Sequence, residues 1–126
     1  MRFLLDSSII IKLTMGHGEA LHRRAAACSE DDMVTSAVAI ARVLYGSVNN
    51  KPPSLDQLAT FLKLVDVLNF DVAAARAYAT LPFKRASYDR LIAAHAVSRK
   101  LIVVTDNVKH FADVPGLRVE NWTLPL

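Results

Sequence analysis

Short apolar runs that stop abruptly at polar, acid-bearing turns constrain this chain more than any other feature. Residues 2–5 form one such run and end at Asp6. Leu101-Ile-Val-Val104 forms another and ends at Thr105-Asp106-Asn107. Runs this short and this apolar read as strands buried on both faces, which is the signature of a parallel sheet. Met33-Val-Thr35 and Val67-Leu-Asn-Phe70 read the same way, and Leu117-Arg-Val-Glu-Asn-Trp122 reads as a short edge strand. Between them lie helical stretches. Ser7 or Ser8 can cap a helix over residues 9–15, ended by Gly16-His-Gly18, and Glu19 to Ser29 is a second. Ser36 caps an apolar helix to about Val48, and Asn49-Asn-Lys-Pro-Pro53 breaks it. Ser54, with Gln57 three residues on, opens another helix through a capping box. Asp71 caps an alanine-rich helix that Pro82 stops, and Ser87 caps the helix carrying Asp89. Strands alternating with helices predict an α/β sandwich around a mostly parallel sheet. No repeat or linker divides it, so residues 1–126 are read as one domain.

At 126 residues and 52% hydrophobic content the chain can bury a sizeable core. No stretch approaches the roughly 20 apolar residues of a membrane span. The opening residues lack a signal-peptide pattern, so no membrane association and a cytoplasmic location are expected. The single cysteine, Cys28, cannot pair within the chain and is read as a small buried hydrophobe. A net charge of +3 is compatible with a nucleic-acid partner without requiring one. The local pattern says more, because Lys84, Arg85 and Arg90 bracket Asp89. They read either as a solvated basic face or as phosphate contacts.

In open parallel sheets ligands bind at the carboxyl ends of the strands. Asp6 and Asp106 both close strand-like runs, so both are expected on that edge. Asp89 lies early in its helix, where the dipole favours an anion. Singly, each has a bland explanation as a turn, loop or early-helix acid. Jointly, three converging carboxylates demand a counter-charge. Mg²⁺, or Mn²⁺, is the expected one, since hard cations take oxygen ligands and can activate water against a phosphate. Ser7 and Thr105 can orient a ligand water at the same edge or serve as caps. Asp71 is read as a structural cap, Asp66 and Asp113 as surface acids, and His95 as structural. His17, His22 and His110 show no ligand spacing, which argues against zinc. No glycine-rich phosphate loop, nucleophile elbow or Cys-His pair is present.

In this order, Leu4-Leu-Asp-Ser-Ser8, Leu44-Tyr-Gly46, Asp89-Arg-Leu-Ile-Ala-Ala-His-Ala96 and Val104-Thr-Asp-Asn-Val108 resemble the VapC-type toxins. So does Phe111-Ala-Asp-Val-Pro-Gly-Leu-Arg-Val-Glu-Asn-Trp122. These toxins are the PIN-domain ribonucleases of VapBC toxin–antitoxin pairs. The resemblance implies a PIN-like α/β/α sandwich and Mg²⁺-dependent cleavage of RNA. It also implies a homodimer and inhibition by a VapB-type antitoxin whose C-terminal peptide occupies the active-site groove. Asp6 and Asp89 match two family acids directly. The last slot falls on Asp106 or Asn107, with Asp106 favoured as the charged member.

Two departures stand out. Ser7-Ser8 replaces the family's more usual Asn or Thr, which is mild. The family's second acid, usually a Glu just before the Leu-Tyr-Gly element, falls on Arg42, and no Asp or Glu occurs between Asp32 and Asp56. A cation about 6 Å from Mg²⁺ opposes it by roughly 5 kcal/mol at an effective dielectric near 20, before relaxation and screening. Arg42 is therefore expected to weaken or abolish metal binding, to pair with Asp6 or Asp89, or to point aside. A phosphate clamp is the remaining reading. The competing function is a non-catalytic module that binds antitoxin or RNA. A phosphotransfer domain with Asp6 as nucleophile fits poorly, because Ser8 stands where a second acid is needed.

Overall fold

The computed structural model describes residues 2–82 and 84–125, with the backbone alone at Glu30. Five strands, β1 (Phe3–Leu5), β2 (Met33–Ser36), β3 (Asp66–Leu68), β4 (Ile102–Val104) and β5 (Val119–Glu120), form one sheet. Their order is β3-β2-β1-β4-β5, and every neighbouring pair is parallel. Among the described residues six α-helices surround it: α1 (Ser7–Met15), α2 (Glu19–Ala27), α3 (Ala37–Val48), α4 (Leu55–Leu62), α5 (Val72–Ala79) and α6 (Tyr88–Arg99). The expected sandwich with a parallel sheet is what forms.

β1 is the middle strand. Leu4 stands opposite Val34 on one side and Val103 on the other. All three are buried, as a strand packed on both faces requires. The chain builds outward from β1 to β3 and then restarts beside β1 with β4. The strand order therefore reverses between β1 and β4, and the crevice of such a sheet opens at their carboxyl ends. Among the described residues no helix is long and apolar enough to cross a membrane.

Most caps are those the sequence predicts. Ser36, Ser54, Asp71 and Ser87 each accept a backbone N–H of the helix they start, and Ser54–Gln57 is a complete capping box. The exception is α1. Asp6 caps it, accepting from the Ser7 N–H, and Ser7 already lies within the helix. Gly16 ends α1 with φ 72°, a left-handed conformation that glycine adopts without strain.

Two strands are shorter than the sequence suggests. β3 stops at Leu68 rather than Phe70 because its partner β2 turns into α3 after Ser36, the residue paired with Leu68. β5 is confined to two residues, paired with Val103 and Val104 of a three-residue β4. A strand with nothing left to pair with cannot continue the ladder.

α6 runs through the core. Ile92, Ala93, Ala94, His95 and Ala96 are all fully buried. His95 accordingly plays the structural part expected of it. Its Nδ1 is 2.8 Å from the Ser36 hydroxyl, and its ring meets Phe70 edge-on at 5.6 Å. Burial, followed by the charge of Arg99, holds the imidazole below its usual pKa. Cys28 is partly buried and packs against the core.

Candidate acidic site at the sheet edge

Asp6 sits where β1 hands over to α1. Its backbone N–H continues the ladder to the Val104 carbonyl at 3.0 Å. Its side chain is only 1% exposed. One carboxylate oxygen accepts the Ser7 N–H at 2.8 Å, and the other accepts the Thr105 hydroxyl at 2.8 Å. Thr105 in turn accepts the Asn107 N–H at 3.0 Å. Ser7, Thr105 and Asn107 thus form the polar frame that orients Asp6. Desolvation dominates, and the Asp6 carboxyl is pushed above the usual carboxylate range. The hydrogen bonds from Thr105 and Ser7 offset this only in part, and Asp89 acts through space in the same direction as burial.

Asp89 is the second residue of α6, near the positive end of the helix. Its two oxygens face two cationic or hydrogen-bonding groups. Arg42 Nη1 from α3 lies 3.5 Å from Oδ1, and His110 Nδ1 lies 2.7 Å from Oδ2. The Arg42 guanidinium also lies over the Tyr88 ring, 5.7 Å from its centre. Of the readings open for Arg42, pairing with Asp89 is the one the structure adopts.

Asp106, at the end of β4, turns toward α1. Lys12 Nζ contacts its Oδ2 at 2.5 Å. Burial is the largest influence and works against the Asp106 charge, but Lys12 and then Ser8 together outweigh it and the carboxyl is held below the usual range. The Ser8 hydroxyl lies close enough to act on Asp106 yet outside hydrogen-bond geometry, so Ser8 Oγ and Asp106 Oδ1 are both buried without a partner.

The fold therefore brings the three acids to one edge, as expected, but not into one cluster. Among the described residues no three Asp, Glu, His or Cys side chains lie close enough together to hold a metal ion. The arrangement does not fit a divalent ion as it stands. Two of the three acids are already met by basic side chains from α1 and α3.

The flanking basic residues divide. Arg85 is exposed. Arg90 is 5% exposed and bonds Asp113 at 3.1 Å and the Pro82 carbonyl, while Lys84 reaches the same Asp113 at 3.0 Å. Arg90 is thus a strut beneath the loop, its guanidinium taken up by Asp113 and the Pro82 carbonyl. Asp113, read as a plain surface acid, is the anchor of that strut, and its carboxyl is held low by Lys84 first and Arg90 next.

Two residues escaped the sequence reading. His110 has no ligand spacing because its partner, Asp89, is 21 residues away. Lys12 carried a readable signal, since it follows Ser8 by four residues and so shares its face of α1.

The chain matches the sequence model of the PIN domain family over residues 3–117. It is 33% identical to the tRNA(fMet)-specific endonuclease VapC of Shigella flexneri, across 98% of this chain and 99% of that one. A chain in the crystal structure of DNA-bound VapBC from Salmonella typhimurium superposes with a TM-score of 0.81 at 28% identity, covering 97% and 98% of the two chains. A chain of VapBC2 from Rickettsia felis, bound to a promoter DNA fragment, shares the fold with a TM-score of 0.84 at 23% identity, covering 97% and 99%. With the strand-end acids in place and a full-length match, the chain belongs to the PIN domain family and is a VapC-type member of it.

Proposed function

We propose that this protein is a VapC-type endoribonuclease, the toxin of a toxin–antitoxin pair, whose phosphodiester hydrolysis is held down by Arg42. The single observation that carries this is the Arg42 guanidinium, 3.5 Å from the Asp89 carboxylate in the position where the family resemblance calls for an acid. Replacing a carboxylate with a guanidinium changes the local charge by about two units, and the cation repels any divalent ion brought to Asp6 and Asp89. RNA as substrate is supported by the name of the Shigella relative, and a VapB-type antitoxin as partner by the complexes in which the similar chains were crystallised. A homodimer and Mg²⁺ dependence follow from the resemblance.

The chain's own residues supply the rest of the framework. Ser7 and Thr105 hold the buried Asp6 carboxyl in one orientation at the end of β1. Exposed Arg85, four residues before Asp89 in the chain, supplies positive charge for the RNA backbone.

A second reading has an observation of its own. Because Arg42 and Lys12 already balance Asp89 and Asp106, the crevice admits a phosphate or an acidic peptide without a metal. That would be a binding module without catalysis.

Arg42→Glu separates the two. RNA cleavage with Mg²⁺ or Mn²⁺ is measured for this chain and the variant, alongside RNA binding in EDTA. Cleavage that rises in the variant supports the weakened nuclease. Equal cleavage by both chains means that Arg42 does not restrain the site. No cleavage by either, with RNA binding intact, favours the binding module.

A further inference from the structure

We propose that Lys12 is a second internal counter-ion of the acidic site, holding Asp106 against α1 and away from Asp6 and Asp89. The proposal rests on the weakened-nuclease reading and adds that Arg42 is not the sole restraint.

Lys12 and Ser8 are one turn apart on α1 and share the face turned toward the end of β4. The Lys12 side chain is about one-third exposed and the Asp106 side chain one-quarter, so the pair sits partly out of water. Such an ion pair is less screened than a surface one. The carboxylate is only half used, however. Oδ2 takes the ammonium, whereas Oδ1 is buried with the Ser8 hydroxyl near it but outside good hydrogen-bond geometry.

A buried carboxylate oxygen without a donor is costly, and proteins rarely leave one so. Here it marks an acid turned toward Lys12 with unspent capacity to bind elsewhere. Asp106 lies next to Thr105, whose hydroxyl holds Asp6. A change of Asp106 rotamer would therefore be the short route toward Asp6, and the Lys12 charge opposes it.

The plain alternative is a clasp that ties α1 to the loop after β4, with charge incidental. Charge and clasp can be separated. Lys12→Gln keeps a hydrogen-bond donor without the charge, Lys12→Met removes both, and Lys12→Arg keeps both.

The test titrates Mn²⁺ by calorimetry into Arg42→Glu and into Arg42→Glu combined with each Lys12 change, with thermal unfolding run on every variant. The expected result is at least about tenfold tighter Mn²⁺ binding for Arg42→Glu/Lys12→Gln than for Arg42→Glu alone, the lower end of the change that altering a group beside a metal ligand produces. Arg42→Glu/Lys12→Arg stays at the Arg42→Glu value. Lys12→Gln keeps the test valid where Lys12→Met fails to fold. Unchanged Mn²⁺ affinity in the Gln variant overturns the role given to Lys12. If Arg42→Glu still gains RNA cleavage in that case, only the Lys12 proposal has failed. If neither metal binding nor cleavage appears, both have.

Discussion

Asp6 and Asp89 lie on the same edge and act on each other through space, yet their charges are met in opposite ways. Asp6 is sealed in the core and hydrogen-bonded by neutral donors, the Ser7 amide and the Thr105 hydroxyl, with the Arg42 charge acting on it through space. Asp89 is partly exposed and answered by Arg42 and His110. Asp106 follows the second pattern through Lys12. The difference shows where substitution can act. An acid fixed by backbone and strand-end geometry keeps its place, whereas one reached by long side chains can be neutralised by a single residue change on a neighbouring helix.

The largest expected effect breaks the second pattern. Arg42→Glu should raise metal-dependent RNA cleavage by about 100-fold, measured as initial rates on a labelled RNA. A rate unchanged from that of this chain would show that Asp89 is not restrained by its partner. Next comes the buried strut. Arg90→Ala should cost roughly 2 kcal/mol in urea unfolding, while exposed Arg85→Ala stays within about 0.5 kcal/mol. Equal effects would contradict the division between strut and phosphate contact.

Asp6→Asn sharpens the first pattern. An amide can still accept the Ser7 N–H and face Thr105 without a buried charge. Stability at pH 7 should rise by on the order of 1 kcal/mol, while cleavage gained in the Arg42→Glu background is lost. The sign follows from the raised Asp6 pKa. Between 3.8 and its raised value the folded state binds more protons, so stability falls as pH rises through that window, and this slope vanishes in the Asn variant. A slope that survives the substitution would mean another group carries it.

The smallest effect lies deeper in α6. His95 has a lowered folded pKa, so the unfolded chain binds more protons below about pH 6.5 and stability falls as pH drops through that value. His95→Gln should flatten the profile between pH 7 and 5, removing at most about 1.4 kcal/mol per pH unit. Chemical unfolding at stepped pH would reveal an unaltered slope if His95 is not its source.

The carboxyl ends of β1 and β4, the caps at Ser36, Ser54, Asp71 and Ser87, and the placement of Asp6, Asp89 and Asp106 on one edge could be read directly from the sequence. Each depends on local periodicity, on hydrogen bonds spanning a few residues, or on the rule that parallel strands present their carboxyl ends together. The replacement at Arg42 was equally visible, since it needs only a motif and its missing acid.

What Arg42 does there was not visible. Its contact with Asp89 spans 47 positions, that of Lys12 with Asp106 spans 94, and that of His110 with Asp89 spans 21. Long flexible side chains can reach several acids with little difference in local preference, so sequence spacing carries no record of which one they meet. The burial of Arg90 was hidden for the same reason, because Asp113 and the Pro82 carbonyl meet it only once the loop has folded over α6. The sequence by itself determined the sheet, its acidic edge and the foreign arginine. Only the tertiary structure decided which charges pair, because ion pairing is set by distances through space and by the water each site has lost.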